Sequence, residues 1–254
     1  MNKKIIVFVL TIILTIAGSF YLKSKTVSTT FEEQYQKFKT VQFNDAYCNF
    51  GPSRVNDFDI YHDVQNIDEL VRKSQIIARI HFVERQQKYS TFYSKVKVVQ
   101  LFKGKLSSED IVIYEPMSIR SDILSIEVVH KPMDDSCDYI VFLQQAIPDD
   151  NQHFNLVNSA LGMIPMKSQF NVKRLKTKLY DEQVKIARTE FEKYDFFDIQ
   201  YHFSKDEVTV NMDGYSVIDD IEVYEKTKQL LFDCYSQILK EYGDMEGKIV
   251  FEDS

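Results

Sequence analysis

The rhythm of polar and apolar positions divides the chain. From Ile5 to Leu22, eighteen uncharged and mostly apolar residues run unbroken, with Lys3 and Lys4 before them and Lys23 and Lys25 after. Residues 26–45 are polar and mixed, with Phe31, Tyr35 and Phe38 at helical spacing. Beyond residue 66 come short runs of alternating β-formers between turn residues. From residue 171 onward, helical and strand-like stretches follow one another.

As a helix, the first run would span roughly 27 Å at 1.5 Å per residue, close to the ~30 Å hydrocarbon core of a bilayer. It predicts a transmembrane anchor within residues 1–25. Ala17, Gly18 and Ser19 offer small residues for signal cleavage, and Phe20, Tyr21 and Leu22 carry the apolar run past them. An uncleaved anchor and a cleaved signal both stay open. In either case Lys3 and Lys4 keep the N-terminus inside, and residues 26–254 are expected outside the cytoplasm. Residues 26–45 then read as a stalk.

Residues 46–170 are expected to form one β domain. Asn66 is a candidate N-cap for a short helix, with acids Asp68 and Glu69 in its first turn. Strands are predicted over Gln75–Glu84, Thr91–Leu101, Asp110–Glu115, Ile123–His130 and Cys137–Leu143. Shorter ones are predicted at Phe154–Val157 and Leu161–Met166, and Arg85–Ser90 reads as a turn. In the second strand Phe92, Val96 and Val98 alternate with Tyr93, Lys95 and Lys97. It stops on Phe102-Lys103-Gly104-Lys105-Leu106. Gly104 supplies a permissive backbone at that corner, and the lysines are expected in solvent. Short strands after one helix indicate a small barrel or sandwich.

Three stretches carry a resemblance. They are Asp68-Glu69-Leu70-Val71-Arg72-Lys73-Ser74, the strand Thr91–Leu101 with its Leu101-Phe102-Lys103-Gly104-Lys105-Leu106 corner, and Asp138-Tyr139-Ile140-Val141-Phe142-Leu143. Residues 67–166 resemble the OB-like, netrin/TIMP-related β-barrel domains of secreted and surface proteins of Gram-positive bacteria. Ala78 stands where a strand glycine is common in such domains. The resemblance implies a barrel that serves as a binding or docking module, and it transfers no active site. Its inhibitor members depend on a cysteine at the mature N-terminus. Cys48 is not placed that way, so inhibition does not carry over.

Residues 171–254 predict an α+β domain. Leu179, Val184, Ala187 and Phe191 suggest a helix over Lys178–Tyr194. A hairpin over Phe197–Ser204 and Glu207–Met212 follows. A second helix is expected from Asp219 or Asp220 to Tyr242, closed by Gly243, and then a strand over Lys248–Glu252. The order is α-β-β-α-β. The expected fold class is therefore an N-terminal transmembrane helix or signal, a mainly-β OB-like barrel over 46–170, and an α+β domain over 171–254.

Charge narrows the partners. The chain carries −7, and residues 1–25 hold four lysines and no acid, so the remainder is more acidic still. Phosphate backbones repel such a body, which excludes nucleic acid as the expected partner. The membrane, through the N-terminal helix, and other envelope proteins are the expected ones. Of Cys48, Cys137 and Cys234, the third falls in a helical apolar pattern, which leaves Cys48 and Cys137 as the candidate disulfide. His130, Asp134, Asp135, Cys137 and Asp138 lie close in sequence, as do Asp57, Asp59, His62 and Asp63. Metal sites use such residues, but neither spacing matches a ligand motif, and both read as solvated loops. His81, His153 and His202 stand alone on strand-like stretches. No GxSxG, HExxH, P-loop or GxGxxG is present. The expectation is a non-enzymatic, membrane-anchored binding protein of the cell envelope without a cofactor; the alternative is a secreted enzyme or protease-inhibitor-like factor with no visible motif.

Overall fold

The computed structural model describes Thr15 and residues 31–43, 64, 66–88, 91–126, 131–158, 161–178, 184–202, 229 and 232–252. The chain falls into two compact units, Met1–Lys37 and Phe38–Ser254. In the first, α1 (Phe31–Tyr35) sets the Phe31 and Tyr35 rings 5.8 Å apart, the helical pairing expected of that spacing. Thr15 alone represents the expected anchor and is helical; the rest of Ile5–Leu22 lies outside the described residues. Among the described residues, no helix is long and apolar enough to cross a membrane.

The second unit is mainly β. Five strands close into a ring: β2 (Ile76–Lys88), β3 (Thr91–Lys103), β4 (Asp110–Glu115), β8 (His153–Leu156) and β7 (Asp138–Gln145), with β7 pairing back onto β2. β4 and β8 run parallel; the other neighbours are antiparallel. A short strand, β9 (Met163–Pro165), lies along β7 beside β8. Alternate residues fill the ring: Ile76, Ala78 and Ile80, then Val96, Ile111, Ile113, Val141, Leu143 and Phe154. The intervening residues of β7, Ile140 and Phe142, enter a different core. That double duty explains why Tyr139–Leu143 reads as one continuous apolar run.

The second core draws on residues from both sides of position 170. Leu70 of α2 (Ile67–Lys73) shares this core with Ile140 and Phe142, Phe170 and Val172 of β10 (Gln169–Lys178), Phe196 of β12 (Phe196–His202), and Cys234, Tyr235, Ile238 and Leu239 of α4 (232–242). β10 lies between β12 and β13 (Lys248–Glu252), parallel to both. Asn66 caps α2 as expected, its Oδ1 accepting from the Glu69 N–H at 2.9 Å.

A four-stranded sheet takes the order β11 (Val184–Ala187), β1 (Thr40–Phe43), β6 (Ile123–Ile126), β5 (Met117–Arg120). Two expectations change here. Part of the segment read as stalk is a strand, because Val41 and Phe43 bury one face while β6 and β11 supply the pairing. The expected helix over Lys178–Tyr194 is replaced, where described, by β11 and the single turn of α3 (Arg188–Phe191). Val184 and Ile186 sit at spacing 2 opposite Phe43 and Val41. Pairing with a distant strand overrides a helical spacing of four residues. The expected strand over Glu207–Met212 and the start of the last helix lie outside the described residues.

Two corners differ from their expected form. Arg85–Lys88 continues β2 instead of turning. Gly104 has φ +94°, and a Cβ there would come 2.3 Å from the Gln75 carbonyl oxygen, so the corner needs glycine. Its neighbour Lys103 is not simply solvated: its Nζ donates to the Val71 carbonyl at 2.6 Å, at the C-terminal end of α2.

Candidate functional site

Strand register assembles the site. Gln86 of β2 lies opposite Tyr93 of β3, Tyr93 opposite Tyr114 of β4, Tyr114 beside Asn155 of β8, and Asn155 opposite Gln144 of β7. One row of side chains thus crosses all five strands on the outer face of the ring. Their inward neighbours are buried: Phe92, Ile113, Phe154 and Leu143. The row contains two phenols and three carboxamides, and no formal charge.

The two tyrosines pack edge to face, with ring centroids 4.5 Å apart, and the Tyr114 hydroxyl donates to the Tyr93 oxygen at 3.0 Å. His153 stacks beside Tyr114 at 6.1 Å. Burial, then the hydrogen bond with Tyr93, pushes Tyr114 up to about 12, so it stays neutral at physiological pH. Tyr93, Tyr114 and Asn155 form the floor of an open depression of about 400 Å³. Lys88 flanks it from the end of β2 and Thr91 from the start of β3, Ala146 and Ile147 from the loop between β7 and β8. Ile147 is half exposed.

That loop is ordered by Asp150. Its Oδ1 accepts from the backbone N–H groups of Gln152 at 2.8 Å and His153 at 3.2 Å, and its Oδ2 accepts from His153 Nδ1 at 2.8 Å. The Gln152 N–H, with help from His153, holds the carboxyl below its usual range. This is the Asx-type turn that short loops favour.

Behind the row sits a buried ion pair. Arg85 and Glu115 have side chains 5% and 0% exposed. Arg85 Nη2 and Nε reach Glu115 Oε1 at 3.0 and 3.2 Å, and Ser94 Oγ donates to the same oxygen. Glu115 Oε2 accepts the Met133 N–H at 2.9 Å, and Arg85 donates to the Met133 carbonyl. Phe82 and Phe92 rings face the guanidinium at 4.7 and 5.3 Å. These residues tie β2, β3 and β4 to the segment before β7, and so hold the strands that carry the row.

The residues singled out from sequence go elsewhere. Asp134 accepts from the N–H and hydroxyl of Ser136, which hold it below the usual carboxylate range although burial pushes the other way. Asp138 instead binds Arg79 at 2.6 Å and His81 at 2.9 Å. The two carboxylates do not converge, and no group of three metal-ligating side chains occurs among the described residues. Cys137 is half buried, and burial pushes its thiol up. Its expected partner Cys48 lies outside the described residues, as do His130, Asp57, Asp59, His62 and Asp63. Cys234 is a buried core residue, as its helical pattern suggested. The row itself escaped the sequence reading. Its only local signal was the alternation that turned Tyr93 outward.

No protein-family model matches the chain, and no curated protein matches it.

Proposed function

We propose that this chain is an extracytoplasmic binding protein of the cell envelope, held at the membrane by Ile5–Leu22, with an OB-like barrel as its binding module. The observation that carries this reading is the open depression over Tyr93, Tyr114 and Asn155, flanked by Lys88, Thr91, Ala146 and Ile147. Support for the barrel type is the closed order β2-β3-β4-β8-β7 with β4 and β8 parallel. In five-stranded barrels of that class, the second and third strands, with the loops after the first and fourth strands, form the binding surface. On this reading Tyr93 and Tyr114 lie on the second and third strands, with Lys88 at the end of the first and Ile147 in the loop after the fourth.

The test is membrane fractionation combined with a photoreactive residue at position 147. The intact chain should stay with the membrane after carbonate washing, and position 147 should cross-link to an envelope component. A chain beginning near Phe20 in the medium would replace the anchor with a cleaved signal. Intact, membrane-bound protein that never cross-links from position 147 would remove the depression as the binding face.

A further inference from the structure

We infer that β13 is a dimerisation edge: a second copy of this chain pairs with it antiparallel, about a two-fold axis at Val250. β13 ends the sheet β12-β10-β13, and among the described residues it pairs with β10 alone. The Lys248 N–H donates to the Ser168 carbonyl at 2.9 Å. Along a strand, alternate residues turn their backbone groups to opposite sides. Lys248, Val250 and Glu252 therefore bond toward β10, and Ile249 and Phe251 aim N–H and C=O at the open side.

The strand Lys248-Ile249-Val250-Phe251-Glu252 complements its own reverse. Centred on Val250, antiparallel pairing sets Lys248 opposite Glu252 of the second copy, and Ile249 opposite Phe251. The Ile249–Phe251 pairs then exchange backbone bonds through the groups that face outward, and an opposite-charge pair closes each end. Phe251 is 40% exposed, although the Phe232 ring lies 5.4 Å away and the Arg174 guanidinium 4.3 Å away. The second copy's Ile249 would cover it. Glu252 lies 3.6 Å from Lys173 of its own sheet, and its side chain stays 64% exposed, with room for a second cation.

The other edge strands lack this match. β9 contains Pro165, β5 and β11 each carry one cation and no acid, and the one acid of β12 is buried. A parallel copy in register would set lysine on lysine and glutamate on glutamate, so the charges select the antiparallel partner. Each copy uses the same strand, and the assembly closes at two. So short an edge buries little area, and the dimer should dissociate in roughly the micromolar range.

The experiment is disulfide trapping of the full chain in detergent, with the unsubstituted chain as the baseline for its native cysteines. Val250→Cys should link well above that baseline, because a residue on the axis meets its own copy at about 4.5 Å between Cα atoms. Lys248→Cys and Glu252→Cys should each stay at baseline alone and link when mixed. Sedimentation equilibrium in the same detergent reads the charges without added cysteine. Lys248→Glu and Glu252→Lys should each weaken dimerisation about tenfold, since both end pairs turn from attraction to repulsion. Their equal mixture should restore it, because opposite signs then meet at both ends. A chain that stays monomeric up to about 1 mM would overturn the interface, as would Val250→Cys at baseline. Lys248→Cys that links to itself as well as Val250→Cys does would overturn the antiparallel register. Dimerisation that ignores both charge reversals would place the contact elsewhere.

Discussion

Arg85, Ser94 and Glu115 face inward from β2, β3 and β4, each one residue away from Gln86, Tyr93 and Tyr114, which face outward. The inner trio is an ion pair with a serine, buried and bonded to itself and to Met133. The outer trio is uncharged and partly exposed. A naive reading would put charge in water and amides inside. The reversal is stable because each inner charge has partners: the carboxylate receives N–H and O–H donors, and the guanidinium a carboxylate, a carbonyl and two rings. Strand period 2 lets one segment do both jobs, since a single residue step changes the face. The difference teaches where each kind of substitution should register: inner changes in folding, outer changes in binding.

The comparison breaks most sharply at Glu115. Glu115→Ala leaves Arg85 buried without its carboxylate, and should cost about 3–5 kcal/mol in denaturant unfolding. A loss under about 1 kcal/mol would mean that the pair is solvated in solution. Gly104→Ala comes next, at about 2 kcal/mol, because it forces a Cβ onto the Gln75 oxygen at a positive φ. It should destabilise without changing ligand affinity in the protein that remains folded. Tyr114→Phe should change stability by less than about 1 kcal/mol, since it deletes one partly exposed hydrogen bond. An effect as large as that of Glu115→Ala would erase the distinction between the faces.

Acid should act on the outer site through Asp150. Its folded carboxyl titrates below the unfolded value of about 3.9. Its contribution is therefore present above the unfolded pKa and lost as pH falls through the lower folded value. Protection of the Gln152 amide, taken relative to the intrinsic exchange rate at each pH, should fall in that acid range, and Asp150→Asn should flatten the response. Protection at Gln152 that stays constant through acid would show that the carboxylate does not order the loop. Smallest of all, Lys88→Ala should change stability by less than about 0.5 kcal/mol, since the side chain is exposed at the end of β2. A larger loss would show that Lys88 packs against the outer face in solution.

Much of the architecture was legible along the chain. Asn66 announced its cap, Asp110–Glu115 and Lys248–Glu252 were predicted to the residue, and Gly104 marked a corner. These features are local, set by propensity, alternation and a single backbone conformation. The unbroken apolar run at the N-terminus likewise carries its own expectation, whatever surrounds it. The tertiary structure decided what depends on distant pairing. Val41 and Phe43 became a strand only because β6 and β11 flank them. Val184 and Ile186 left a helical pattern for the same sheet. Arg85, placed in a turn by its polar neighbours, is buried because Glu115 lies 30 residues away in sequence and 3.0 Å away in space. The row from Gln86 to Gln144 belongs to this second group. Each of its residues is unremarkable alone, and only the register of five strands sets them side by side.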